Sequence, residues 1–325
     1  MTRIVDTRTD AEAALRLASE VLASGQPVAI PTETVYGLAA DATDPAAIAR
    51  IYEMKGRPRF NPLICHVADL EMAERHAVFD PLSRRIAEAF WPGPLTLIVP
   101  VREESPIHPL VRAGLDTVGI RVPTGFASRL LAFYGRPLAA PSANTSGRIS
   151  PTTAEHVALD LGDRLELVLD GGAANIGLES TILKVDEDGE IRLLRPGGLD
   201  VADVERLTGS TILRPQEAAT AIEAPGMLAS HYAPSAAVRL DAAGVQPGEA
   251  LIRFGGIPLS GEEGATLVLD LSPSGDMREA AANLFGYMKR ADASGAASIA
   301  FSPIPMDGLG EAINDRLKRA AAPRG

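Results

Sequence analysis

Apolar residues recur at Leu15, Ala18 and Leu22, the spacing of one helical face, and Gly25 ends the run. Thr9 and Glu12 stand ahead of it at capping-box spacing, which predicts Thr9 as the cap. Residues 28–31 (VAIP) read as a short strand. Asp44 and Pro45 read as the cap and first residue of a second helix, with Ile48, Ile51 and Tyr52 on its apolar face and Gly56 as its stop. LICHV at 63–67 reads as a strand, Asp80-Pro81 opens a helix that ends at the turn WPGP, and LTLIVPV at 95–101 reads as a buried strand. Further strands are predicted at 117–122, 137–140, 165–169, 180–185 and 190–194, with helices near 126–134 and 152–161.

Strands and helices alternate irregularly, and several strands are close enough in sequence to pair antiparallel. Residues 1–200 therefore read as one α/β domain with a mixed, twisted sheet. Residues 211–237 show no sustained period and contain several prolines, and a loop of that length is usually a functional segment or a linker. Beyond it, ALIRFG, TLVLDLS and SIAFSPI look like strands, and helical patterns run from about 274 to GEAINDRLKRAAA. The expected organisation is a domain at 1–200, a linker at 201–237 and a small βαβ-type domain at 238–325.

Composition narrows the function classes. Of 325 residues, 46% are hydrophobic and 22% charged, as in ordinary soluble proteins, and aromatics at 4% leave the core to Ala, Leu, Ile and Val. Cys65 is the single cysteine, which excludes an internal disulfide or a cysteine metal cage. The opening MTRIVDTRTD is polar, and no apolar run reaches the length of a membrane span, so a cytoplasmic protein without a membrane segment is expected. A net charge of −11 weighs against tight, non-specific nucleic-acid binding, which phosphate neutralisation would drive. It leaves room for a local basic pocket.

The chain contains no GxxxxGK[ST] loop and no GxGxxG after a strand. Its five histidines lack metal-ligand spacing, and Cys65 and His66, adjacent on a strand, point to opposite faces. Four polar clusters remain, each beside an apolar strand. PTETVYGL at 31–38 alternates Thr32 and Thr34. KGRPRFNPL places Lys55, Arg57 and Arg59 in a loop stiffened by Pro58 and Pro62 around Asn61, and guanidinium forks suit phosphates or carboxylates. APSANTSG at 140–147 is followed by Ser150, and GLESTIL at 177–183 by LLRPGG at 193–198. Taken singly, the basic loop reads as solvated, PTETVYGL and APSANTSG as ordinary turns, and His66 on its apolar strand as a core histidine.

In this order, PTETVYGL, KGRPRFNPL, PGPLTLI, GIRVP, PSANTSG, ESTI and RPG resemble the L-threonylcarbamoyladenylate synthase family of the YrdC-like superfamily, in its longer two-domain form. The resemblance covers residues 10–200, and PGMLASHYAP with the C-terminal domain extends it. It implies a YrdC-like twisted mixed sheet with a basic concave face and a smaller Rossmann-like second domain. It also implies condensation of L-threonine, bicarbonate and ATP to threonylcarbamoyl-AMP and pyrophosphate, for a separate tRNA threonylcarbamoyl transferase. By the same resemblance Lys55 and Arg57 are catalytic, and Arg57, Asn61, Thr117, Ser142, Ser150, Arg195 and Tyr232 contact ATP. Asn144 supports the turn, Arg59 has no firm counterpart, and Thr34, His66, Arg121, Ser180 and the Ala140 backbone form the threonine pocket. Mg²⁺ is expected, held mainly by ATP phosphates. Tyr232, with an apolar ring and a hydroxyl, is suited to cover a nucleotide, so the linker is expected to close over the site. Two rivals are an RNA-binding protein using the basic concavity and a carbamoyl-transfer module. The latter usually carries zinc-finger and acylphosphatase segments, which this sequence lacks.

Overall fold

The computed structural model describes residues 2–214, 223–227 and 230–323. They divide into two compact units. The first holds Met1–Ser146, Pro151–Ala174 and Glu179–Met227, and the second holds Gly147–Ser150, Asn175–Leu178 and Leu228–Gly325. Two short segments of residues 1–200 thus cluster with the C-terminal residues. Of the segment read as a linker, 215–222 and 228–229 lie outside the described residues.

The first unit is built on a ten-stranded sheet. Its strands are β1 (Arg3–Asp6), β2 (Val28–Ile30), β3 (Gly37–Asp41), β4 (Ile64–His66), β5 (Leu95–Pro100), β6 (Thr117–Arg121), β7 (Leu138–Ala139), β8 (Leu167–Asp170), β9 (Thr181–Val185) and β10 (Ile191–Arg195). Their spatial order is β1-β8-β2-β3-β7-β4-β6-β5-β9-β10. β4 pairs parallel with β6 and β5 with β9, whereas β5–β6 and β9–β10 are antiparallel, so the sheet is mixed as expected. The helices are α1 (Ala11–Ala23), α2 (Pro45–Lys55), α3 (Leu70–His76), α4 (Pro81–Phe90), α5 (Gly125–Tyr134), α6 (Ala154–Leu161) and α7 (Val201–Thr208).

Local chemistry sets the helix ends. Asp44 caps α2 by accepting from Ala46 N–H, Pro45 starts it, and Gly56 ends it in the left-handed region at φ 58°. That stop places Lys55 on the last turn. The cap of α1 is Asp10 rather than Thr9: its carboxylate accepts from Ala13 N–H at 2.9 Å, and Glu12 pairs with Arg129 instead. A charged acceptor at a helix N-terminus outcompetes a neighbouring hydroxyl.

Strand alternation sorts the sheet into two faces. Cys65, Leu95, Leu97, Val99, Val118, Ile120, Leu183, Ile191 and Leu193 face one large core, covered by apolar residues of α2, α3, α4, α6 and α7. The other face is covered in two ways. α1 and α5 lie over Val28, Ile30, Ala39, Leu138, Leu167 and Leu169. Farther along, Ile64, Ile98, Ile182 and Leu194 meet not a helix but Ala224, with Met227 beside it. Helices α1 and α5 thus cover one part of this face, and Ala224 with Met227 covers another.

The second unit has four parallel strands, β11 (Ala237–Arg239), β12 (Glu249–Arg253), β13 (Leu267–Asp270) and β14 (Ser298–Phe301), in the order β11-β14-β12-β13. α8 (Met277–Asp292) and α9 (Leu309–Ala321) pack with them. Gly177, at φ 75°, abuts α8 so closely that a Cβ would lie 2.5 Å from Ala281 O. Among the described residues no helix is long and apolar enough to cross a membrane.

Candidate active site

His66 and Arg121 occupy paired positions on the parallel strands β4 and β6, both on the face opposite the large core. Arg121 is buried, and its guanidinium donates to Glu33 Oε1 at 2.6 Å, Thr34 Oγ1 at 2.9 Å and Gly93 O at 3.3 Å. Glu33 Oε2 in turn accepts from Thr124 N–H at 3.2 Å, at the start of α5. Thr34 Oγ1 also lies 2.8 Å from Thr32 Oγ1, so the PTET stretch is folded around the guanidinium. Burial, and then the Arg121 charge, push the His66 pKa down to about 3, so its imidazole is neutral.

Ser180, just before β9, continues the polar wall. Its Oγ lies 2.7 Å from Thr96 Oγ1 on β5, and Arg195 donates to both Ser180 O and Oγ. Strict alternation from Leu193 would turn Arg195 into the large core. A register shift between Leu193 and Arg195 re-aims it to this face, the usual consequence of a bulge. Arg195 also reaches Pro225 O at 3.4 Å, and Glu223 is held by Lys184 and Arg192 from β9 and β10. Gly197 explains the link between RPGG and ESTI: a Cβ there would fall 2.4 Å from Glu179 O and Ser180 C.

The basic loop is not a set of solvated cations. Lys55 is 1% exposed, and its Nζ donates to Ser142 O at 2.6 Å and to Asn144 O. Lys55 O accepts from Ser146 N–H, and Tyr36 O from Ala143 N–H, so the PSANTSG turn is pinned by both earlier motifs. Burial, then the Arg57 charge, push the Lys55 pKa well down, against the two carbonyls that favour its charged form. Arg57, also buried, donates to Asn61 O, Asn61 Oδ1 and Pro62 O at 2.7–3.0 Å. Arg59 and Phe60 are exposed.

The structure therefore brings Lys55, Ser142 and Asn144 together, Arg57 with Asn61, Arg121 with Thr34 and His66, and Ser180 with Arg195. Thr117 lies on β6 in the alternation class of Arg121, and Ala140 N–H bonds to Ile64 O at 3.0 Å. Two buried polar atoms here lack a hydrogen-bond partner among the described residues, Asn61 Nδ2 and His66 Nδ1. Ser150 and Tyr232 belong to the second unit. There Tyr232, at φ 60°, stacks on Phe285 and lies under the Arg316 guanidinium. Sequence reasoning gave no role to Glu33 or Thr96. A threonine at an alternate position of the apolar LTLIV run was the available signal for Thr96, and none marked Glu33. Among the described residues no group of three His, Cys, Asp or Glu is placed to hold a metal.

The structure is thus an α/β protein whose mixed sheet carries a buried cluster of Thr34, His66, Arg121, Ser180 and Arg195 on one face, with Lys55 and Arg57 buried where α2 ends. A family model described as "Telomere recombination" (Sua5_yciO_yrdC) matches residues 20–197, and one for the threonylcarbamoyl-AMP synthase C-terminal domain matches 199–322. The chain is 39% identical to the threonylcarbamoyl-AMP synthase of Pyrococcus abyssi, over 100% of this chain and 99% of that protein. It is 38% identical to that of Bacillus subtilis, over 94% and 92%. It also resembles the crystal structure of P. abyssi Sua5 complexed with L-threonine, with TM-score 0.88, 37% identity and coverage of 99% and 97%. The chain belongs to the two-domain threonylcarbamoyl-AMP synthase family.

Proposed function

We propose that this chain condenses L-threonine, bicarbonate and ATP to threonylcarbamoyl-AMP and pyrophosphate. The observation that carries this reading is the pair of buried, unsatisfied polar atoms, Asn61 Nδ2 in the cationic loop and His66 Nδ1 in the polar pocket. A buried polar atom without a partner is costly, and ligands for the loop and the pocket would each relieve one.

In this mechanism the ammonium of threonine gives up a proton, and the free amine forms a carbamate, either by adding CO₂ with loss of a second proton or by attacking bicarbonate with loss of water. A carbamate oxygen attacks the α-phosphorus of ATP, and pyrophosphate leaves. Two anions must approach one another, so the protein's task is positioning and charge neutralisation. Arg121 receives the threonine carboxylate, with Thr34, His66, Ser180 and the Ala140 backbone around it. Arg57, Asn61, Thr117, Ser142 and Arg195 of the first unit serve the nucleotide, whereas Ser150 and Tyr232, also expected to do so, belong to the second unit. Lys55 acts chiefly through the turn whose carbonyls it holds. Among the described residues no group of three His, Cys, Asp or Glu is placed to hold a metal, so Mg²⁺ would be held mainly by the ATP phosphates and would offset their charge there.

The described part of the linker, residues 223–227, covers this side of the sheet and would limit hydrolysis of the mixed anhydride. Ala224 buried against Ile64, Ile98, Ile182 and Leu194 supports this, as does the Arg195–Pro225 hydrogen bond. The product passes to a tRNA threonylcarbamoyl transferase in the cytoplasm. Pyrophosphate release tests the reading: it should require threonine and bicarbonate together with ATP, and release with ATP alone would contradict it.

A further inference from the structure

Arg121 does not stand alone in its pocket. Glu33 Oε1 is 2.6 Å from its Nη2, and the two side chains are 5% and 7% exposed. Opposite charges this deeply buried and this close are unusual on a wall whose neighbouring side chains are hydroxyls and a neutral imidazole: Thr32, Thr34 and His66. A pocket made only to capture a carboxylate would need the cation without the anion.

Both partners retain bonding capacity. A guanidinium has five N–H donors, and Arg121 commits three, to Glu33, Thr34 and Gly93, leaving one N–H on each terminal nitrogen. A carboxylate offers about four acceptor sites. Glu33 uses one for Arg121 and one for the Thr124 N–H that tethers it to the start of α5. An α-amino acid carries its two opposite charges on groups joined to a single carbon. A fixed guanidinium beside a fixed carboxylate is the complement of that head group.

We infer that Arg121 and Glu33 form a two-charge receptor for the zwitterionic head of the amino-acid substrate, with Glu33 accepting its ammonium. The inference rests on the threonine reading of this pocket and adds a substrate contact to it. It accounts for the carboxylate that PTETVYGL places between two threonines, and for the neutral charge of the Arg121–Glu33 pair. An acid lacking the amine would meet Glu33 as a like charge near its carboxylate. Threonine meets it as a counter-charge.

The test compares L-threonine with (R)-3-hydroxybutyrate, which is threonine without its amine, by calorimetric titration of the full chain in the presence of ATP. The wild-type protein is expected to favour threonine by at least a hundredfold. Glu33→Gln should cut that preference at least tenfold, and Glu33→Asp, which keeps the charge, should hold it within about threefold of wild type. Because both ligands use Arg121, a general disturbance of the pocket weakens both and leaves the ratio unmoved. An unchanged ratio in a folded Glu33→Gln variant overturns the inference while leaving the threonine reading intact. If Glu33→Gln does not fold, the wild type and Glu33→Asp still decide: equal wild-type affinity for the two acids, or a collapsed ratio in Glu33→Asp, overturns it. A wild-type protein that binds no threonine removes the pocket assignment and the inference with it.

Discussion

His66 and Arg121 share one face of the sheet from paired positions on neighbouring parallel strands, and the arginine's charge helps keep the histidine neutral. The pH dependence follows. The His66 pKa is about 3 in the folded protein, against an ordinary value near 6.5. Its contribution to stability is therefore complete above pH 6.5 and is lost as pH falls from there toward 3, where the unfolded chain binds the extra proton. Over that window the wild type should lose up to about 1.4 kcal/mol per pH unit more than His66→Asn. Denaturant unfolding at pH 7 and pH 4.5 measures the difference.

Arg57 is buried against Asn61 and Pro62, so its guanidinium is held in place before any nucleotide arrives. Arg57→Ala should cost about 1.5–3 kcal/mol of phosphate binding or transition-state stabilisation. Steady-state kinetics should show kcat/KM for ATP reduced by about tenfold to a hundredfold, with the fold intact by circular dichroism.

If threonine binds against Arg121 as proposed, the hydroxyls of Thr34, bonded to Arg121, and Ser180, bonded to Thr96, set which substitutes for threonine are tolerated. Serine keeps the hydroxyl and loses one methyl, about 1 kcal/mol of packing. Valine keeps the methyl shape and leaves a polar partner unpaired, a stronger rejection. Competition assays should rank serine above valine. Equal inhibition would remove Thr34 and Ser180 from hydroxyl recognition.

Gly197 is tolerated because no side chain intervenes between RPGG and the backbone of 179–181. Gly197→Ala would press a methyl onto Ser180 and should destabilise the first unit by about 1–3 kcal/mol. Because Ser180 shifts with that backbone, KM for threonine should rise even where the variant remains folded, which thermal melts and kinetics would separate.

Glu223 ties its segment to Lys184 and Arg192. Glu223→Ala should loosen the cover over Ile64 and Ile182, shortening the lifetime of threonylcarbamoyl-AMP more than it slows the formation of that product. Chromatography of the nucleotide products over time reads both.

Much of the first unit was legible in its long apolar runs. LTLIVPV at 95–101 became β5, and the Asp-Pro starts at 44–45 and 80–81 became α2 and α4. The missed elements lacked the patterns that reveal them. β1 is an edge strand with Arg3 and Ile4 exposed, β3 is Gly-Leu-Ala-Ala-Asp without alternation, and α3 and α7 are short. The site was legible as motifs, but their connections were not. Glu33 reaches Arg121 across 88 positions of chain, and Lys55 reaches the 142–144 carbonyls across 87 and 89. Arg195 faces the cleft because of a one-residue register shift that no periodicity announces.

Whether carbamate formation and adenylation both occur on this chain is decided with ¹³C-bicarbonate. The purified protein would be incubated with ATP, L-threonine and the label, and the nucleotide product weighed by mass spectrometry. The account predicts an AMP adduct that carries one threonine and one ¹³C, formed in step with pyrophosphate. An AMP product without the label, or pyrophosphate released without threonine, would contradict it.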